Sequence, residues 1–438
     1  MENADCIISG KYVLTMNDGL TALRNGAIAI KDGQIVSVGP VAEIQRNFSA
    51  PKFLDCRNMV LLPGLINTHS HAAMVFFRGL ADDLPLKEWL EQYIWPAEER
   101  WLSPEFVRDA TALACMEMLR AGVTTYNDMY LFGDDAAEVA RSLGMRAVMG
   151  AGVIDLPTVV ASTVDEYLEK GESFIRKWKG DNLIHTCVAP HSAFTCGTDT
   201  LNRSRQLANR LDVPVHIHLS ETLWEVGEIV NKHGLRPVKY LDSIGFLDER
   251  TIAAHCVHVD DDEIEILAKR GVSVSHCIES NLKLASGIAP VPKMLKAGVN
   301  VSLGTDGAAS NNDLNILSEM ATAAKVHKAI ANDPTVLDSK TALLMATKWG
   351  AKALGLGDRI GSLEKGKAAD IIGIGLDKPH SCLINEIYSH LVYSAMASDV
   401  QMVMIDGQLL IDNGKQIGID EESILRKAAE WQVKIAGK

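Results

Sequence analysis

An α/β protein is predicted: a (β/α)8 TIM barrel with a small β-sandwich domain formed by both termini. Two patterns carry this. Through the middle of the chain eight short apolar runs alternate with helix-like segments, and hairpin-type runs recur at the two ends. Strand–helix alternation implies a parallel sheet, and eight such units imply a closed barrel. An open doubly wound sheet requires a glycine-rich phosphate turn after an early strand, and neither GxGxxG nor a P-loop pattern stands there.

Residues 1–58 form the N-terminal part of the predicted sandwich. "CIISGKYVLTM", "GAIAIKDGQIVSVG" and "KFLDC" are alternating runs broken by "NDG" and "KDG". Asp-Gly and Asn-Gly pairs between such runs are strong hairpin signals. Residues 59–365 carry the barrel. Its strands are read in "MVLLPGLINTHSH", "GVTTYNDM", "MRAVMGAGVI", "LIHTCVAPHSAF", "VPVHIHLSE", "TIAAHCVHV", "GVSVSHCIESN" and "NVSLGTDG". Between them lie helical pieces such as "PEFVRDATALACMEMLRAG", "TLNRSRQLANRLD" and "DDEIEILAKR". Residues 366–438 return to hairpin language in "AADIIGIG" and "VQMVMIDGQLLIDNGK", then end on the helical "EESILRKAAEWQVKIAG".

Composition narrows the function classes. The 438 residues are 47% hydrophobic and 23% charged, ordinary for a soluble globular protein. A formal charge of −13, with no basic cluster among aromatics, argues against nucleic acid or an anionic membrane surface as partner. No basic, then apolar, leader opens the chain, and no apolar run approaches the ~18 residues of a membrane span. Eight scattered cysteines without a CxxC pair read as reduced thiols of a cytoplasmic enzyme, for which a homo-oligomer is a fair default.

In such barrels chemistry sits at the C-terminal strand ends. Those ends carry His69 and His71, Asp128, His191, His218, His255, His276 and Asp306, so five of eight bear a histidine although the chain has only 13. A single strand-end histidine is more often structural, and Asp306 in "LGTDGAAS" could simply cap the next helix. His69 and His71, at i and i+2, face the same way and could converge on one point. With His218 and Asp306 they make a three-nitrogen, one-oxygen set with an open position, the pattern of a catalytic zinc or iron site. His216 shares its face with His218 one layer deeper, where it reads as packing or as support for a ligand. Glu221, three residues past His218, can turn back over the metal without binding it and shuttle protons. His255 could steady the attacking water. His258 reads as structural, His276 has no evident role, and "SNLKLASG" and "TDGAASNN" are loops able to shape a pocket floor.

These residues resemble the amidohydrolase superfamily over nearly the whole chain, including "GSLEKGKAADIIGIG" after the barrel. "SNLKLASGIAPV" and "LGTDGAASNN" look more closely like the 5-methylthioadenosine/S-adenosylhomocysteine deaminases. The resemblance implies one divalent metal, zinc or alternatively iron, on His69, His71, His218 and Asp306. It implies proton handling by Glu221, His255 and Asp306, a ribose-diol carboxylate at Glu98 in "WPAEER", a purine contact at His191, and a pocket residue at Ser310. The substrate would be a small adenine nucleoside, deaminated at C6. Relatives that bind S-adenosylhomocysteine are expected to carry arginines after the third strand. Here that stretch reads "MGAGVIDLPTVVAS", and a carboxylate without a bidentate partner binds less well. 5′-Methylthioadenosine, 5′-deoxyadenosine or adenosine is therefore favoured. A two-metal hydantoinase-like amidase would need a lysine in "LIHTCVAPHSAF", which has none. A triazine-type hydrolase of the same superfamily would not need Glu98, and a non-catalytic barrel scaffold should show broken ligands. The cytidine-deaminase HxE and PCxxC motifs are absent.

Overall fold

Alternation from Cys6 onward sets the first sheet. Strands β1 (Cys6–Leu14), β2 (Ala22–Lys31), β3 (Gln34–Pro40) and β4 (Lys52–Pro63) come from the N-terminal region. The structure is a computed structural model that describes residues 1–437. Asp32 and Gly33, at φ 50° and 74°, make the tight turn between β2 and β3 that "KDG" predicts. The C-terminal region adds β13 (Ile371–Gly375), β14 (Val400–Ile405), β15 (Gln408–Asp412) and β16 (Lys415–Gln416). All eight strands share one sheet in the order β16-β15-β14-β13-β4-β1-β2-β3, so the two termini do build a common β-structure. Its seam is the antiparallel pair β13–β4, with Ile371 opposite Pro63 and Ile374 opposite Val60.

The second sheet is parallel and also has eight strands. They are β5 (Leu65–Ser70), β6 (Val123–Asp128), β7 (Arg146–Val153), β8 (Ile184–Pro190), β9 (Val215–Leu219), β10 (Thr251–His255), β11 (Ser273–His276) and β12 (Asn300–Leu303). They neighbour one another in strict chain order, as expected for a (β/α)8 barrel. The ring is drawn nearly closed where the ends of β5 and β12 meet: Asp306 N donates to His69 O at 3.0 Å, and Thr305 N to Asn67 Oδ1 at 3.0 Å. Helices α1 (Pro104–Arg120), α2 (Thr198–Leu211), α3 (Leu223–His233) and α4 (Asp261–Arg270) lie between strands where helical periodicity places them. The chain ends on α5 (Glu421–Ala436), whose Trp431 donates its indole N–H to Asp109 at 3.0 Å and meets the Phe106 ring edge-on.

The chain divides into two compact units. One comprises Met1–Ile66, Glu117–Thr125 and Asn315–Ile419; the other comprises Asn67–Met116, Tyr126–Leu314 and Asp420–Lys438. Every residue named above as a candidate site residue belongs to the second unit. Beneath its site the barrel interior is unusually polar. Thr68 Oγ1 lies 2.6 Å from Ser275 Oγ and 2.9 Å from Ser302 Oγ, filling the axis with small hydroxyls rather than branched apolar groups. Gly304 sits at a tight point, where a Cβ would lie 2.5 Å from Ser275 Oγ and 2.8 Å from His69 Cβ. Only a residue without a side chain lets the end of β12 approach β5 this closely. Among the described residues no helix is long and apolar enough to cross a membrane.

Candidate metal centre and active site

His69 and His71 leave the end of β5 on the same side, as their i, i+2 spacing requires. Their Nε2 atoms lie 3.4 and 3.2 Å from Asp306 Oδ1, and His71 Nε2 lies 3.2 Å from Nε2 of His218, from the end of β9. The far nitrogen of each ring is anchored. His69 Nδ1 meets His216 Nε2 at 3.0 Å, His71 Nδ1 donates to Met129 O at 2.5 Å, and His218 Nδ1 donates to His191 O at 2.8 Å. Such anchors fix ring orientation and leave Nε2 to face the centre. His69 Nε2 is fully buried and has no hydrogen-bond partner.

This donor set fits a divalent cation. Two donors of a tetrahedral site with bonds of about 2.0–2.1 Å stand about 3.3 Å apart, close to the separations here. Converging imidazole lone pairs beside a carboxylate repel one another without a positive charge between them, which also explains the orphaned Nε2. His69, His71 and Asp306 form one group able to hold a metal, and His69, His218 and His255 form a second overlapping one. Burial drives the pKa of His69 down to about 3 and that of His218 well down, so both are neutral donors. Burial also opposes protonation of His71, but the Asp306 carboxylate raises it to about 9. Asp306 is held well below the usual carboxylate range: both histidines outweigh the penalty of its burial.

Further titratable groups stand around this centre. Glu221 is buried, and burial with the nearby Asp306 charge pushes it up to about 8. Its Oε2 lies 3.7 Å from His255 Nε2. Glu225 accepts from the Ser220 and Glu221 amides at 3.1 and 2.7 Å, fixing the chain that carries Glu221. Ser220, His255 and Asp306 all occupy the left-handed region, at φ 53°, 71° and 63°. Such strain in non-glycine residues persists only where the surroundings enforce it, and it gathers at functional sites.

The centre opens into a cavity of about 750 Å³. His191 lines it; its ring centroid is 4.8 Å from that of His218, and burial lowers its pKa to about 4, leaving it neutral. Glu98 lines it from the helical segment Leu86–Trp101, which contains a π-turn at Leu90–Ile94. The Tyr130 hydroxyl donates to Glu98 Oε1 at 2.7 Å. The Glu98 side chain is reached from the cavity yet surrounded by protein, and this enclosure raises it to about 7. Trp89, Phe194, Trp224 and Leu156 supply apolar walls.

Not every strand-end candidate reaches the cavity. Ser310 lies behind Asp306, with its hydroxyl 2.7 Å from Asp306 Oδ2. His276 is buried at the end of β11, outside the cavity wall. Asp128 accepts from Ala72 N at 2.7 Å and so holds the turn that follows His71. His258 donates to Ser286 O at 2.6 Å, a structural contact. Sequence reasoning did not single out Glu225, or Ser280, Asn281 and Ser286 in "SNLKLASG", a stretch that begins within the helix Ile278–Lys283 and, against the expectation of a pocket-floor loop, does not line the cavity. For Glu225 the T-x-x-E capping pattern from Thr222 was an available signal.

Residues 60–410 match the amidohydrolase family. A 5-methylthioadenosine/S-adenosylhomocysteine deaminase of Thermodesulfovibrio yellowstonii is 53% identical over 431 residues, 98% of each chain. A 5′-deoxyadenosine deaminase of Methanosarcina barkeri is 45% identical, again over 98% of each. The crystal structure of an adenosine deaminase from Xanthomonas campestris with bound zinc superposes with a TM-score of 0.98, at 42% identity and full coverage of both chains. With a barrel of chain-ordered strands and a His/Asp group able to hold a metal at its rim, this chain belongs to the amidohydrolase family, hydrolases of C–N bonds.

Proposed function

We propose that the chain catalyses hydrolytic deamination of an adenine nucleoside at C6, releasing ammonia and the inosine analogue. The observation that carries this is the placement of Glu221, a buried acid raised to about 8, beside His255 and Asp306 on the wall of a nucleoside-sized cavity. The names of its relatives support the substrate class. His69, His71, His218 and Asp306 would hold one divalent ion, zinc by preference over iron. When bound, that ion lowers the pKa of a water toward neutrality.

The chain's own residues do the rest. Asp306 and His255 orient the attacking water and accept its proton as oxygen bonds to C6. Glu221, protonated at neutral pH, delivers a proton to ring N1. Glu221 then carries the second water proton to the amine, the C6–amino bond breaks to release ammonia, and the first water proton returns from Asp306 and His255 to Glu221, leaving a C6 carbonyl with N1–H. His191 contacts the purine, Glu98 accepts from the ribose hydroxyls, and Ser310 shapes this end of the pocket through Asp306. No arginine or lysine stands among the described residues that line the cavity, which disfavours the carboxylate of S-adenosylhomocysteine. 5′-Methylthioadenosine, 5′-deoxyadenosine and adenosine are the preferred substrates.

We assign residues 59–365 to the catalytic barrel, and residues 1–58 and 366–438 to a β-sandwich with its terminal helix. In support, Ile28, Ile35 and Met402, from distant strands of the terminal sheet, pack into one apolar cluster, as they do when a sheet folds over on itself. Eight cysteines, none of them in a disulfide, suit a reducing, cytoplasmic setting, and a homo-oligomer is the default assembly. The deciding experiment incubates metal-loaded protein with adenosine, 5′-methylthioadenosine, 5′-deoxyadenosine, S-adenosylhomocysteine, guanine and a chlorotriazine. Ammonia release and ultraviolet absorbance are followed. Turnover of adenine nucleosides is expected. Its absence, or turnover of the triazine alone, overturns the reading.

A further inference from the structure

We propose that Ser280, Asn281 and Ser286 are positioning residues that set the proton-transfer geometry of Asp306, His255 and Glu221, with Ser286 governing Glu221. The inference rests on the deaminase reading. All three lie on the segment that follows β11, none of which lines the cavity. Yet it touches each proton-handling group once. Ser280 Oγ donates to Asp306 Oδ2 at 2.7 Å, the Asn281 amide meets His255 Nδ1 at 3.0 Å, and Ser286 Oγ donates to Glu221 Oε1 at 3.1 Å.

Ser286 is the most informative of the three. A carboxyl group rotates readily about its last torsion, and a proton can sit on either oxygen. The serine occupies Oε1 and leaves Oε2 facing His255 at 3.7 Å as the oxygen that carries the transferable proton. The serine is itself rigidly held. Its amide donates to Asn281 O at 2.9 Å, and its carbonyl accepts from His258 Nε2 at 2.6 Å. The next residue, Gly287, has φ +119°, and a Cβ there would stand 2.9 Å from Val257 Cγ1. The main chain of Glu221 is fixed separately by Glu225, so loss of the Ser286 hydroxyl frees the Glu221 carboxyl without freeing its backbone.

The test compares Ser286→Ala and Ser286→Thr with wild type on adenosine and on 6-chloropurine riboside. In the first, ammonia must be protonated to leave; in the second, chloride leaves unaided. For Ser286→Ala the expected result is a loss of about tenfold in kcat on adenosine, the scale of one hydrogen bond to an ionisable group. KM, metal content and melting temperature stay unchanged, the loss on the chloride substrate is clearly smaller, and Ser286→Thr restores most of the rate. Should the alanine variant not fold, Ser286→Cys, of similar size and a weaker donor, is expected to show the same split. An unchanged kcat, equal losses on both substrates, or a loss confined to KM or metal content overturns the inference while leaving the deaminase reading intact. Failure of wild type to deaminate any adenine nucleoside overturns both.

Discussion

Replacing Glu98 by Gln tests the orientation of substrate in the cavity. In the native protein one carboxylate oxygen accepts from the Tyr130 hydroxyl at 2.7 Å; the other would accept from the ribose diol of the proposed substrate. In the variant the amide oxygen takes the Tyr130 bond, and the NH2 group is turned toward hydroxyls that need an acceptor. A hydrogen bond to a charged group is worth about 1.5–3 kcal/mol, and the mispaired donor adds to its loss. An expected cost of about 2–3 kcal/mol corresponds to a fall of about 30- to 150-fold in kcat/KM on adenosine. The assay is a cycle between enzyme and substrate: wild type and Glu98→Gln, each on adenosine and on 2′,3′-dideoxyadenosine. Wild type should lose most of its rate when the diol is removed, and the variant should lose little more. A coupling below about 0.5 kcal/mol, with both substrates impaired equally, would remove Glu98 from the ribose site.

Four further outcomes are expected. Because enclosure raises Glu98 to about 7 and the diol needs the ionised form, the preference for adenosine over its dideoxy analogue should increase as pH rises through about 7; a flat ratio contradicts this. Chelation should abolish turnover and lower the melting temperature, and saturation at about 1,000 times Kd should return about 4 kcal/mol. Elemental analysis should find one equivalent per chain, and His218→Ala should lose it. Gly304→Ala forces a methyl group to within 2.5 Å of Ser275 Oγ and 2.8 Å of His69 Cβ, so denaturant titration should show about 1–3 kcal/mol of destabilisation with weakened metal binding; a neutral substitution would mean that the β5–β12 junction is looser than it looks.

Sequence alone determined the repetitive parts of this protein. Eight apolar runs and their intervening helices follow from period-2 and period-3.6 patterning, which is local, and the Asp-Gly turns follow from local backbone chemistry. The gathering of His69, His71, His218 and Asp306 was legible for the same reason: strand ends of a barrel face one rim whatever the loops do. Contacts that depend on which loops fold toward one another were not legible. Ser280 against Asp306, Asn281 against His255 and Ser286 against Glu221 join residues 26, 26 and 65 positions apart. The left-handed backbone at His255 and Asp306 is likewise imposed by tertiary packing against local preference. Tertiary structure decided that Ser310 lies behind the carboxylate and that His276 lies off the cavity wall. Periodicity fixes which way a residue faces from its own strand, whereas hydrogen bonds between loops depend on distances that only the closed ring sets.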